Sequence, residues 1–304
     1  MLISVVIPTC HRNDLLAKSL DCLAPGKQRL AADQYEVIVT DDGRHATAEG
    51  IIQSEYPWAR WVAGPKDGPA ANRNNGARHA RGEWVVFTDD DCLPDAGWLE
   101  AIARLASAGR VDVIEGRTEI PDRVDSPFQQ GIENLDGNNF WSCNLAVRRA
   151  VFEELGGFDE DFKEAADEDM EFAWRFRQRG YSHCFANDAL VLHPVRRVTW
   201  AAIWKRTKMS RWHELLFLKT NRAAPPQTPA WLVVLGVFRD AVMNLLRTTW
   251  HLFARDHQGL WRTRLFWQIW RWLTFPFVAP YVALWQLRFR RMLQMRERQS
   301  QSQS

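Results

Sequence analysis

The stretch Glu83-Trp84-Val85-Val86-Phe87-Thr88-Asp89-Asp90-Asp91-Cys92-Leu93-Pro94 decides how the chain is read. Trp84 to Phe87 is a short apolar run of the kind that forms a buried strand. Three consecutive carboxylates follow it. Adjacent negative charges repel, so such a run is costly unless a cation sits among them. In an open α/β sheet the ligand crevice lies just outside the carboxyl ends of the strands. A carboxylate cluster there suits a hydrated Mg²⁺ or Mn²⁺, which takes oxygen ligands and bridges to substrate phosphates. Taken alone, an Asp triplet reads equally well as a solvated acidic turn, and the rest of the chain decides between the two.

Working outward, Leu2 to Ile7 is a β-branched apolar run ended by Pro8-Thr9, and Tyr35 to Thr40 is a second strand ended by Asp41-Asp42-Gly43. Between them Asn13 can cap a helix with Leu15, Leu16, Leu20 and Leu23 on its apolar side. Helices are expected over Ala70 to Ala80, Trp98 to Ala106, Arg149 to Leu155 and Glu168 to Arg179. Strands are expected at Trp61-Val62, Val111 to Glu119, Asn144 to Val147, Tyr181 to Phe185 and Ala189 to Leu192. Residues 121–142 form a long polar connection, a natural acceptor-facing loop. Strands alternating with helices predict a mostly parallel α/β sheet with a nucleotide crevice. No G-x-G-x-x-G or G-x-x-x-x-G-K-[ST] follows the first strand, which disfavours dinucleotide binding and P-loop chemistry.

Charge divides the chain. Residues 1–195 hold 20 Lys+Arg against 33 Asp+Glu, and residues 196–304 hold 19 against 4. Ten of the 16 Trp lie after position 199. The expected division is a catalytic domain over 1–198 and a basic, Trp-rich helical region over 199–304, with a break at Pro225-Pro226 and a disordered polar tail over 299–304. Five scattered Cys without a CxxC pair argue against a zinc site or a disulfide framework and fit a reducing compartment. The N-terminus runs directly into a strand and does not read as a signal peptide.

Carboxylates recur at Asp41/Asp42, at Asp89/Asp90/Asp91 and at Asp167/Glu168/Asp169. With Ser4 to Thr9, Val37 to Gly43, Asn72-Arg73-Asn74-Asn75-Gly76, Gly82 to Asp91, Asn144 to Arg149, Gly156 to Glu160 and Glu168 to Arg175, the pattern resembles the family 2 glycosyltransferases of the GT-A fold. The resemblance covers residues 2–195 in the family's order. It implies transfer, usually with inversion, of a sugar from a nucleotide-diphospho-sugar donor, with a divalent cation, Mg²⁺ or Mn²⁺. It places the donor nucleotide on Pro8, Thr9, Asp41, Asp42, Arg73, Asp89 and Asp90, with uracil favoured on Asp41 or Asp42 and the ribose on Asp89. It places the metal on Asp91 and His193, and makes Asp169 the general base, with Glu168 as its orienting neighbour or substitute. The triplet leaves the Asp-x-Asp register open between Asp89/Asp91 and Asp90. Arg44 stands where the family often has Ser. Lys208-Met209-Ser210-Arg211-Trp212 resembles the Gln-x-x-Arg-Trp of processive members but lacks the Gln, and reads instead as a helix face, so polymer synthesis is not expected.

The second half alternates Trp and Leu with Arg. Leu265 to Leu287 is long enough to span a bilayer, but Arg271, Pro276 and Pro280 interrupt it. Helices lying in the cytoplasmic interface fit better, with Trp and Leu buried and Arg on anionic headgroups. An enzyme attached to the inner face of the cell membrane, acting on a glycan or lipid-linked acceptor, is the expectation. The alternatives are a non-catalytic sugar-nucleotide or membrane-binding protein of the same fold, and a sugar nucleotidyltransferase. The latter would carry a Gly-rich basic loop where Pro8-Thr9-Cys10-His11-Arg12 stands. No nucleic-acid partner is expected, because the acidic half would repel phosphate backbones.

Overall fold

The computed structural model describes residues 2–45, 47–122, 124, 126, 128–220, 229–254 and 261–301. It divides into two compact units, Met1–Arg123 with Gly131–Val195, and Val124–Gln130 with Arg196–Ser304. Strands of the first unit are β1 (Ile3–Thr9), β2 (Tyr35–Asp41), β3 (Arg60–Ala63), β4 (Trp84–Thr88), β5 (Leu93–Pro94), β6 (Val113–Glu119), β8 (Asn144–Arg148) and β9 (His183–Leu192). Its helices are α1 (Asn13–Leu23), α2 (Glu49–Glu55), α3 (Pro69–Arg78), α4 (Trp98–Ser107), α5 (Arg149–Glu154) and α6 (Glu168–Gln178). The second unit holds β7 (Gln129–Gln130), β10 (Arg196–Arg197), α7 (Trp200–Lys219), α8 (Ala230–Ala254) and α9 (Trp261–Gln301).

The eight strands of the first unit form one sheet in the order β3-β2-β1-β4-β8-β6-β9-β5. β3, β2, β1 and β4 run parallel, as does the pair β6 and β9. β8 runs antiparallel between β4 and β6, and β5 runs antiparallel to β9. The mostly parallel α/β sheet is therefore present, with β8 reversed. Among the described residues no helix lies between β6 and β8. Asn144 pairs with Thr88, which sets the start of β8 beside the Asp triplet that follows β4. The two short strands expected after Tyr181 are one strand, β9, whose register on β6 shifts between Gly116 and Arg117.

Side-chain alternation along β1 explains its two-sided burial. Ile3, Val5 and Ile7 join Leu16, Leu20 and Leu23 of α1 in one apolar layer. Val6 joins Val85, Phe87, Leu145 and Val147 in the other. That second layer seats α6. Phe158 lies 5.1 Å from Phe87 and 5.2 Å from Phe172, ring centre to ring centre. The strand that carries the Asp triplet and the helix that carries Glu168 and Asp169 are thus fastened to one aromatic cluster. Gly157, at φ 72°, allows the turn into Phe158 to press on Asn74, whose Oδ1 would sit 2.5 Å from an added Cβ.

Part of the long connection is ordered by a single buried carboxylate. Glu115 accepts hydrogen bonds from Asn134 Nδ2 (2.8 Å), Asn138 N (2.7 Å) and Asn139 N (2.8 Å). Asn138 and Phe140 there hold left-handed backbone, at φ 75° and 54°. Glu115→Ala leaves several donors unsatisfied and is expected to cost about 2–4 kcal/mol. Hydrogen exchange should show lost protection concentrated in residues 134–140. Loss spread evenly over the sheet would contradict this.

In the second unit α9 runs unbroken past Pro276 and Pro280 to Gln301. This corrects two expectations, that the prolines break the helix and that residue 299 begins a disordered tail. Each proline removes one backbone donor, which a long helix with packed neighbours absorbs without ending. Val237 of α8 packs on Val282 and Ala283 of α9. The break at Pro225-Pro226 and residues 302–304 lie outside the described residues. Among the described residues no helix is long and apolar enough to cross a membrane.

Candidate active site

The sheet brings the carboxyl ends of β1, β2 and β4 side by side, and the three acidic clusters divide into distinct jobs. Asp41 is consumed by its own turn. Its Oδ1 accepts from Gly43 N (2.7 Å), and its Oδ2 from Ala48 N (2.6 Å) and Trp61 Nε1 (3.3 Å). Asp42 is less buried and accepts from Lys66 N at 2.8 Å. Burial raises its pKa against the backbone N–H groups of Lys66 and Gly68. Of this pair, Asp42 is the one free of the turn that Asp41 closes.

Within the triplet, Asp90 is fully buried. Its Oδ2 accepts from Thr9 Oγ1 at 2.8 Å, and its Oδ1 lies 2.6 Å from Arg12 Nη2. Burial pushes its carboxyl up to about 7, against the pull of Arg12 and Thr9. Asp90 therefore braces β4 to the loop after β1; Asp91 Oδ2 shares Arg12 with it at 3.1 Å, and Asp89 points elsewhere. Asp89 Oδ1 takes Arg73 Nη2 at 2.7 Å. Asp91 Oδ1 stands 3.8 Å from His193 Nε2.

His193 carries ligand geometry. Its Nδ1 lies 3.2 Å from the carbonyl of Pro194, which can only accept. With the hydrogen on Nδ1, Nε2 would turn its lone pair toward Asp91. An imidazole lone pair facing a carboxylate is the donor set a divalent cation uses. Cys92 lies with them, the three donor atoms falling within 4.8 Å of one another. Its thiol is hydrogen-bonded to Cys143 and buried, which together hold its pKa well above the ordinary value. A thiol that keeps its proton is a poor ligand, so Asp91 and His193 are the fitting pair.

Arg73 connects the two sides of the crevice. Beyond Asp89 it reaches Glu168 Oε1 through Nη1 at 3.0 Å. Burial opposes its charge, but Asp89 and Glu168 more than offset this and raise its pKa. Sequence reasoning put Arg73 by the nucleobase and phosphates; here it ties the end of β4 to the start of α6. Its neighbours do the same for the scaffold: Asn72 donates to the Thr40 carbonyl at 3.0 Å, and Asn74 to the Phe158 carbonyl at 2.8 Å. Asp167, in left-handed backbone at φ 66°, turns the chain into α6. Glu168 is thereby buried on Arg73. Asp169, about 100° further round the helix, is half-buried and accepts from Met170 N (2.8 Å) and Ser142 N (3.4 Å). Burial, then the charge of Glu168, pushes the Asp169 carboxyl up to about 8.

The sequence reading missed Arg12 as a partner of the triplet, and Trp61 and Ser142 as donors to Asp41 and Asp169. Arg12 carried a signal: a cation three residues past the end of β1, which adjoins β4. Trp61 and Ser142 carried none. Trp212, the end of the Arg-Trp pair, is 3 % exposed, with Phe289 5.7 Å away and Arg211 over its ring at 4.8 Å. The pair is used up in packing α7 on α9, as a helix face.

Comparison with known proteins bears on the family and the fold. The sequence pattern described as Glycosyl transferase family 2 matches residues 4–177, more than half of the chain, and that of Glycosyl transferase family 21 matches residues 133–294. Glycosyltransferase AglE of Haloferax volcanii is 29% identical over 208 residues, which cover 64% of this chain and 67% of that protein. Validoxylamine A glucosyltransferase of Streptomyces hygroscopicus subsp. limoneus is 29% identical over 221 residues, covering 59% of this chain and 48% of the relative. Among solved structures, the mannosyltransferase PcManGT from Pyrobaculum calidifontis, in complex with GDP-Man and Mn²⁺, superposes with a TM-score of 0.58 at 20% identity, over 94% of this chain and 86% of that one. TarS of S. aureus in complex with UDP gives 0.51 at 19%, over 71% and 66%. These likenesses show a shared GT-A fold. With the fold and the family pattern in agreement, the chain belongs to glycosyl transferase family 2.

Proposed function

We propose that this chain is a divalent-metal-dependent, inverting glycosyltransferase. It takes a sugar from a nucleoside diphosphate, with UDP favoured, and places it on a hydroxyl of a glycan or lipid-linked acceptor. The observation that carries this reading is the Arg73 bridge between Asp89 and Glu168, which ties the strand end that carries Asp91, facing His193, to the helix start that carries Asp169. Family membership sets aside the nucleotidyltransferase reading.

In the proposed reaction Asp42 takes the base edge and Asp89 the ribose. Asp169 accepts the proton of the acceptor hydroxyl as that oxygen attacks the anomeric carbon. The bond from that carbon to the diphosphate oxygen breaks, and its electron pair leaves with the nucleotide. One displacement inverts the centre. Asp91 and His193 would hold the metal, which when bound supplies positive charge against the departing diphosphate. Arg73 holds Glu168 and Asp89 in register, so that donor and base meet at one place.

Calorimetry of UDP with Mn²⁺ and with EDTA tests this. Binding that needs the metal supports it, and turnover of a UDP-sugar completes it. Binding of GDP or dTDP instead changes only the donor. Binding indifferent to EDTA, or none of any nucleotide, defeats the metal-dependent reading and favours a metal-independent or non-catalytic protein.

The second unit is proposed to lie in the plane of the cytoplasmic leaflet. Trp231, Leu235, Leu273 and Phe277 are exposed on helices rich in Arg. Such faces bury apolar side chains among acyl chains and set cations on anionic headgroups. The chain is expected to co-sediment with vesicles containing phosphatidylglycerol and to bind phosphatidylcholine vesicles far less, with binding falling as salt rises. Equal binding to both would reject the electrostatic part.

A further inference from the structure

We infer that Arg12 is a second cation of the diphosphate site and shares Asp91 with the metal. The inference rests on the donor-site reading above and assigns to it a residue that the reading does not use. Arg12 stands at the start of α1, directly after His11, whose backbone is left-handed at φ 56°. Its guanidinium lies 2.6 Å from Asp90 Oδ1 through Nη2 and 3.1 Å from Asp91 Oδ2 through Nη1. The two oxygens of Asp91 therefore face different ways, Oδ2 to Arg12 and Oδ1 to His193. A metal on the Oδ1 side leaves the guanidinium in place.

Exposure gives the direction. The Arg12 side chain is 39% exposed, against 0% and 4% for Asp90 and Asp91. Arg12 is thus the partly exposed member of this cluster, at the carboxyl ends of the strands that bound the crevice. Its planar fork has five N–H groups, more than two carboxylate contacts use, and that fork suits phosphate oxygens. A buried brace for Asp90 alone would need neither the exposure nor the reach to Asp91.

The test compares uridine, UDP and Mn²⁺ alone as ligands of the full chain, wild type against Arg12→Gln and Arg12→Lys. Thermal unfolding of each variant checks that the fold is kept. Arg12→Gln is expected to weaken UDP about 10- to 100-fold, the loss of one charge-assisted contact, and to leave uridine within about twofold. Arg12→Lys should fall between. Mn²⁺ alone should bind Arg12→Gln several-fold more tightly, because a positive charge beside Asp91 is gone. UDP binding unchanged in Arg12→Gln would overturn the inference. So would equal weakening of uridine and UDP, which marks Arg12 as a brace for the loop. Wild-type protein that binds neither UDP nor GDP removes the donor site itself, a failure seen before any variant is measured.

Discussion

Asp169→Asn is expected to lower glycosyl transfer by about 10²–10⁴-fold, leave UDP binding in Mn²⁺ intact, and make the protein more stable at neutral pH. The first two effects follow from the proposed role. A base on the acceptor side acts in the chemical step and does not touch the nucleotide. The third follows from its environment. Burial and Glu168 raise the Asp169 carboxyl from 3.8 to about 8. A carboxyl raised in the folded state favours folding most below its unfolded pKa, and that contribution is lost as pH rises through the folded value. The amide cannot ionise, so at pH 7–8 it should add about 1–3 kcal/mol, a Tm higher by several degrees. Below about pH 4 the difference should vanish, since both side chains are then neutral. In the wild type, transfer should climb as pH rises toward about 8 and then level, because only the carboxylate accepts the proton. Glu168→Gln removes the neighbouring charge and should move that rise to lower pH. A variant with unaltered turnover, or with UDP binding lost alongside turnover, would take the base role from Asp169.

Asp91→Ala is the second large effect. It is expected to erase the difference between Mn²⁺ and EDTA in UDP binding and to weaken UDP about 100-fold in Mn²⁺, with transfer falling below detection. The fold should hold, since Arg12 keeps Asp90 as a partner at 2.6 Å. His193→Ala should produce a milder version, about tenfold, because it leaves the carboxylate in place. Metal-dependent UDP binding that survives in Asp91→Ala would move the metal to another group. Asp90→Asn would separate the members of the triplet: it removes the Arg12 ion pair and should leave the metal dependence standing.

Much of the fold was legible because burial leaves a periodic trace. The runs Val5 to Ile7, Val37 to Val39 and Val85 to Phe87 are apolar on both faces, as strands covered by helices on both sides must be, and they sit where they were expected. The reversal of β8 left no such trace, since direction within a sheet does not alter which residues are buried. α2, β5 and the β7–β10 pair are too short for periodicity to declare them. The continuity of α9 past two prolines was misread because the local cost of proline was weighed without the packing that offsets it.

The sequence by itself determined the α/β class, the order of the elements, the three acidic clusters and the family to which their spacing belongs. Each of these is written in local composition and in the distance between motifs along the chain. Only the tertiary structure decided which donors each carboxylate meets. Asp41, Asp90 and Glu168 look like Asp42, Asp91 and Asp169 in the sequence, yet the first three are spent on Gly43 and Ala48, on Thr9 and Arg12, and on Arg73. The physical reason is that a carboxylate's role is set by which donors reach it and how much water is excluded around it. Those donors come from turns, strands and helices 2 to 95 residues away in the chain.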